Sequence, residues 1–336
     1  MTRQQTDILK QPIPTLLLTY GLLLALLVTR ALRMPSAAED ITTALSPVGT
    51  WLDGWLAGTW GVVVVVGATL LSSIIITRII ARYSLSVVRS LVPMLLFAVC
   101  LCGVVMPIHS PALALAITMI IHATELMIMS FKRTERFSEV MRAAFWTGLA
   151  ALLLPELLYP SLLLPVQWLI WQRTPREMIA ATIMLLLPLL PASFCYWVGG
   201  KEALWLLEEW AQRLSGVGIP DFEMLYRSVG GGIPTLLFGV LLLLTITSIA
   251  VFIKDYAMMR IRARKGHIYF TLLFAVGIAM LLLGCHAAAA LATCGIASVP
   301  LIHTFFVKRK GAVGATIYIL VLLLTVARAL LPHNLF

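Results

Sequence analysis

Lys and Arg interrupt this chain at the ends of long apolar runs, and that spacing leaves few folds open. Clusters stand at Arg78/Arg82/Arg89, Lys132/Arg133/Arg136/Arg142, Lys254/Arg260/Arg262/Arg264/Lys265 and Lys308/Arg309/Lys310. Between them lie mostly apolar segments about 20 residues long, enough to cross a ~30 Å hydrocarbon core at about 1.5 Å per residue. Basic loops are retained on the cytoplasmic side, so the clusters also set an orientation. The expectation is an all-α, polytopic membrane bundle in the bacterial inner (cytoplasmic) membrane.

Composition agrees where it can be used. Hydrophobic residues make up 60% and charged residues 12% of the 336-residue chain, with a mean hydropathy of +0.97. That is far from the soluble globular range and leaves no stretch for a separate soluble domain. The formal charge of +10 would suggest nucleic acid in a soluble protein. Here the basic residues occupy juxtamembrane loops, whose natural partner is anionic lipid, and no nucleic-acid role is expected.

The threading follows from parity. Spans are expected at 13–29, 59–77, 91–106 and 111–131, then at 178–198, 235–253, 268–284, 288–307 and 312–331. The N-terminus lies inside, and the linker 34–58 lies outside. Ser36 and Ala38 would suit signal cleavage, but Arg30 and Arg33 interrupt the approach to such a site and argue against it.

The region 143–171 decides the count. As one helix it would place Arg173, Arg176 and the basic loop after Lys254 on the wrong side. As two short segments, 143–154 and 161–171, it restores every basic loop to the inside. The sequence Pro155-Glu156-Leu157-Leu158-Tyr159-Pro160 separates them, and two prolines so close suit the ends of two helices. The total is then about eleven membrane segments at the length set by the bilayer, the short pair either crossing or dipping as a re-entrant hairpin. Of the 25 Lys and Arg, only Arg30, Arg33, Lys201, Arg213, Arg227 and Arg328 fall outside the inner set. Trp51, Trp55, Trp60, Trp197, Trp205 and Trp210 are expected at the outer interface, and Trp146, Trp168 and Trp171 at the inner one.

Within this single domain, 1–336, the outer connection 199–234 is more than a turn. Residues 201–214 alternate apolar and charged faces as an interfacial amphipathic helix does, and a glycine-rich loop follows. The linker 41–56 offers a second such helix. The cysteines read as packing: Cys100 and Cys102 are two apart on one span, facing different ways, and no metal site or disulfide is expected. The small residues from Gly284 to Ser298 mark close helix packing, with His286 and His303 as structural neighbours.

Ionisable residues at membrane depth are costly and therefore informative. His122 and Glu125, three apart, share a face of the fourth span. They suit either a hydrogen-bonded pair joining helices or a proton or cation relay. Glu39, Asp40, Glu156, Asp221 and Glu223 all fall on the outer side. A carboxylate beside an embedded cavity could serve as a general base or hold a divalent metal, and Glu156, with Glu39 and Asp40, forms the candidate catalytic set.

Phe145 to Leu152, the Pro155–Pro160 break, Trp168 to Trp171, Arg176-Glu177, the Pro188/Pro191 span and the closing Val299-Pro300 helix resemble an uncharacterised polytopic inner-membrane family of Bacteroidota. That resemblance implies architecture and little else. A second resemblance, in layout, is to multi-span glycosyltransferases that use lipid-phosphate-sugar donors. It implies a lipid-linked saccharide as substrate at the outer face and a role for Glu39, Asp40 and Glu156. The first outer loop departs from those enzymes, having adjacent Glu39-Asp40 and a distant Asp53 where they carry spaced acids.

Two function classes follow: a non-catalytic component of cell-envelope assembly with envelope proteins as partners, or a glycosyltransferase-like enzyme or inactive relative. A transporter has fewer ligands to work with, since no second acid lies in the middle of another long span. The sequence specifies no cofactor.

Overall fold

The computed structural model describes residues 13–33, 45–83, 85, 90–105, 110–130, 137–166, 174–215, 218–220, 223, 226, 229, 231–308 and 312–330. These residues are helical throughout, with short connections. The helices are α1 (Ile13–Arg33), α2 (Pro47–Trp55), α3 (Thr59–Arg82), α4 (Val92–Cys100), α5 (Pro111–Ser130), α6 (Phe137–Leu153), α7 (Pro175–Leu186), α8 (Leu189–Val198), α9 (Trp205–Ser215), α10 (Gly232–Asp255), α11 (Ile261–Leu282), α12 (Ala287–Lys308) and α13 (Ala312–Leu330). A π-helical turn, Leu101–Val105, extends α4, and a 3-10 segment, Pro155–Leu162, follows α6. Among the described residues, seven stretches are long and apolar enough to cross a membrane: α3, α5, Pro175–Val198, Gly232–Met258, α11, α12 and α13.

Burial separates centre from rim. In α12, 89% of the apolar window is buried inside the protein, against 22% for Pro175–Val198 and 28% for α13. An apolar surface needs no cover in lipid, so peripheral spans expose Ile183, Leu190 and Leu323 without cost. α12 can be central because its early turns carry little bulk: a Cβ built on Gly277 of α11 would fall 2.7 Å from the Cys294 sulfur and 2.9 Å from its backbone nitrogen.

Contacts between helix ends give the directions. Gly61 at the start of α3 lies against Pro111 at the start of α5, and Arg78 and Glu125 pair towards the far ends, so these two helices are parallel. The Ser46 backbone N–H, just before α2, donates to the Leu153 carbonyl at 3.0 Å, and Asp53 in α2 accepts from the Ala112 N–H at 2.7 Å. The end of α6 therefore lies beside the start of α5. α10 and α12 finish together, where Lys308 pairs with Asp255. α13 ends beside the π-turn, where Arg328 donates to the Gly103 and Val104 carbonyls.

The region expected to hold two short helices is laid out differently. α6 begins at Phe137, six residues before the expected start, and runs 17 residues. It packs parallel to the next helix: Gly148 meets Leu185 and Pro188, and Ala151 and Leu152 share a cluster with Leu189. A Cβ on Gly148 would lie 2.1 Å from the Leu185 carbonyl oxygen, so only glycine permits this approach. Two consecutive helices that run parallel require the chain between them to travel back the length of the bundle. The described part of that return is the 3-10 segment and one helical turn over 163–166, in place of a regular helix from Ser161; residues 167–173 lie outside the described set. Pro155 and Pro160 both remove backbone donors within this stretch, which explains why it does not wind as an α-helix.

The two short helices expected at the interface are present at slightly shifted positions. Ser46 caps α2, its hydroxyl accepting from the Gly49 N–H at 3.1 Å, with Pro47 in the first turn. The amphipathic helix starts at Trp205 instead of Lys201, whose ammonium lies 5.0 Å over the Trp205 ring. Trp51, Trp55, Trp60 and Trp197 are exposed, as an aromatic girdle would be. Trp210 departs from that expectation: it is buried with Leu152, Leu189 and Leu206, and it anchors α9 to the bundle.

Candidate functional site

The chain leaves α6 through an extended Leu154 and enters the 3-10 segment with Pro155 in its first turn, which puts Glu156 at the mouth of the return path. One Glu156 oxygen, Oε1, accepts from the His286 backbone N–H at 2.9 Å. His286 immediately precedes α12, where the first N–H groups have no intrahelical acceptor and the dipole favours negative charge. The other oxygen, Oε2, is buried with no partner among the described residues. Burial raises the Glu156 carboxyl above its ordinary range, opposed by the His286 N–H and by the charges of His286 and Arg213.

Four elements converge here. Tyr159 donates its hydroxyl hydrogen bond to the Leu214 carbonyl of α9 at 3.2 Å and also meets the Cys285 thiol. Arg213 of α9 pairs with Glu209 at 2.9 Å and donates to the Leu45 carbonyl at 2.7 Å, which ties α9 to the chain entering α2. The turn carrying Cys285 and His286 begins at Gly284, with φ of +75°, and a Cβ there would sit 2.3 Å from the Gly218 carbonyl oxygen. Cys285 is pushed up to about 11, by burial first and then by the Glu156 charge, so its thiol stays protonated at neutral pH and is a poor nucleophile.

The acids expected to gather at Glu156 do not all fall within view. Glu39, Asp40 and Asp221 lie outside the described residues, so their approach to Glu156 does too; Glu223 is exposed. Asp53, read from the sequence as a loop acid, caps α5 through the Ala112 N–H. Burial also raises its carboxyl, partly offset by its bonds to Ser110 and Ala112.

His122 and Glu125 do share one face of α5, and the structure adds a third member. Glu125, 2% exposed, forms an ion pair with Arg78 of α3, and His122 Nδ1 lies 3.7 Å from the same carboxylate oxygen. The Trp146 ring of α6 meets His122 edge-on at 5.3 Å. The carboxylate therefore links α5 to α3, and His122 beside it links α5 to α6. Sequence reasoning assigned Arg78 to the topology signal alone. Parity already placed Arg78 and Glu125 towards the same membrane face, and that was the available clue.

Between these two clusters the return path lines a small cavity. Pro160 and Ser161 face Thr124 of α5, Thr147 of α6 and Tyr269 of α11 across it. Irregular backbone at membrane depth is tolerated where protein or a polar cavity covers it, which is the situation here. His303 in α12 is fully buried, with neither ring nitrogen partnered among the described residues, while neighbouring His267 bonds Thr304 at 3.0 Å. Cys100, Cys285 and Cys294 are buried thiols, and Cys195 is exposed. Among the described residues, no three His, Cys, Asp or Glu side chains converge as metal ligands.

No family model matches this chain, and no curated protein or solved structure matches it significantly.

Proposed function

We propose that this chain is a polytopic protein of the bacterial inner membrane, with its N-terminus in the cytoplasm and about eleven membrane segments of bilayer length, acting as a non-catalytic component of cell-envelope assembly. Its partners are membrane lipids and other envelope-assembly proteins. The Arg78 end of the bundle is the cytoplasmic one, because Arg78, Arg176, Arg260 and Lys308 all fall at helix ends on that side. Labelling of single cysteines supplies the check. A cysteine replacing Thr174 should react with a membrane-impermeant reagent only after permeabilisation, and one replacing Gln212 should react in intact cells. External labelling at 174 overturns the threading.

The observation that carries the scaffold reading is the use of Glu156. Its carboxylate is engaged with the backbone at the start of α12, as a fastening between elements would be. In a strain lacking the gene, Glu156→Gln, which keeps an acceptor, should restore envelope integrity at normal protein level.

A second reading, a glycosyltransferase-like enzyme or its inactive relative working on a lipid-linked saccharide at the outer face, is favoured by one feature. Glu156 keeps a buried oxygen without a partner among the described residues, beside Tyr159 and Cys285. That reading requires Glu156→Gln, Glu39→Gln or Asp40→Asn to abolish complementation while thermal stability stays unchanged.

A further inference from the structure

A cleft opens between α10 and α11 near the middle of the bundle. The two helices are pinned together at the Arg78 end, where Phe252 and His267 stack with ring centroids 5.0 Å apart and the connection over 256–260 is short. Away from that apex they diverge around a narrow, open groove. Phe238 and Leu242 of α10 and Phe274 of α11 form its walls, and Cys294, Gly295 and Ser298 of α12 form its floor. Gly295 leaves the floor low: a Cβ there would lie 3.6 Å from the Cys100 Cβ, an ordinary contact.

Two properties limit what can occupy this space. First, its hydroxyl groups are already committed within the protein. Thr245 bonds the Leu241 carbonyl at 2.7 Å, Ser298 bonds the Gly295 carbonyl at 3.1 Å, and the Cys100 thiol faces the Ser298 hydroxyl. Among the described lining residues only the Cys294 thiol, a weak donor, lacks such a bond, so the cleft would hold water poorly and suits an apolar occupant. Second, its mouth faces the bilayer. Phe238 and Leu242 are half-buried at the edge, and Leu236, Leu243 and Ile246 on the same helix are more than half exposed, as lipid-facing residues are. The medium that reaches the mouth is hydrocarbon.

We propose that this cleft holds one acyl chain of a membrane phospholipid as a bound, non-annular lipid. The site is separate from the Glu156 cluster and does not depend on whether that cluster is catalytic.

The test uses the full chain reconstituted in phosphatidylcholine nanodiscs containing a phosphatidylcholine with a diazirine at mid-chain. After illumination, peptide mapping should find adducts on Phe238, Leu242 or Cys294 about tenfold above those on Leu320 and Leu323, exposed on α13. Gly295→Leu, which raises the floor, should remove the cleft adducts and leave the α13 adducts unchanged. If that variant does not fold, Leu242→Trp narrows the mouth from its half-exposed side and should have the same effect. Equal labelling of the cleft and α13, or cleft labelling that survives in the folded variants, overturns the proposal. So does modification of Cys294 by a charged, water-soluble thiosulfonate, which would show the cleft to be hydrated.

Discussion

Two carboxylates, Glu125 buried near one end of the bundle and Glu156 part-buried near the other, are held by opposite means. Glu125 sits on a long regular span and is matched by a cation from a second span, with His122 beside it. Glu156 sits on irregular backbone and is matched by a peptide N–H at a helix start, with no full counter-charge in direct contact. The difference follows from what each location supplies. Mid-span backbone has no free donors, so an acid there needs a side-chain partner. Helix starts have donors to spare, so an acid there can be held by the chain itself.

This comparison fails or sharpens with a few measurements. The largest effect should come from Arg78→Met. It leaves the Glu125 carboxylate buried without its cation, and because Arg78 is itself about half exposed, the cost should be about 2–3 kcal/mol, below the full value for a buried pair. Thermal unfolding in mild detergent would measure it, and Arg78→Met with Glu125→Gln should recover most of the loss. Additive damage in the double variant would show that the pair is not the link between α3 and α5.

Glu156→Ala should cost less, about 1 kcal/mol, the usual loss when a helix-end acceptor is removed. Glu156→Gln should be close to the parent, since a carbonyl oxygen can still accept from His286. A similar drop of about 1 kcal/mol is expected for Asp53→Ala at the start of α5. A Glu156→Ala effect as large as that of Arg78→Met would erase the contrast between the two acids.

The smallest effect is in pH dependence. The Glu156 carboxyl is raised, so the folded protein holds that proton more tightly than the unfolded chain does. Its contribution to stability is therefore fully present below the unfolded value near 4.5 and is lost as pH rises through the folded value. Glu156→Gln should remove this slope. A stability curve that rises with pH in that window because of Glu156 would contradict the burial seen around it.

The long spans were legible because hydrophobic length and charge placement are written locally. The expected 59–77 and 111–131 spans correspond to α3 and α5 within a few residues, and the two prolines correctly marked a break after α6. The shape of the return path was not legible, since periodicity says nothing about a segment whose side chains are held by distant elements. The same limit applies to the Glu156 cluster. His286 is 130 residues away in sequence, and no local pattern connects a loop acid to the start of a helix that far along. Likewise, Trp210 reads as an interfacial residue from its neighbours, and only the packing of α9 onto Ala151 and Leu152 shows it to be buried.

The return path also has a consequence for biogenesis. Its described half, 155–166, lacks the continuous helix that would let it partition into lipid alone. The side chains that cover it include Tyr269 and Leu273, which leave the ribosome more than 100 residues after Pro160. This stretch therefore has to wait during synthesis, sheltered at the interface or beside α5 and α6, until α11 arrives to close over it. Shortening the chain before α11 should strand it, and the truncated protein should be recognised and degraded even though every helix before that point is intact.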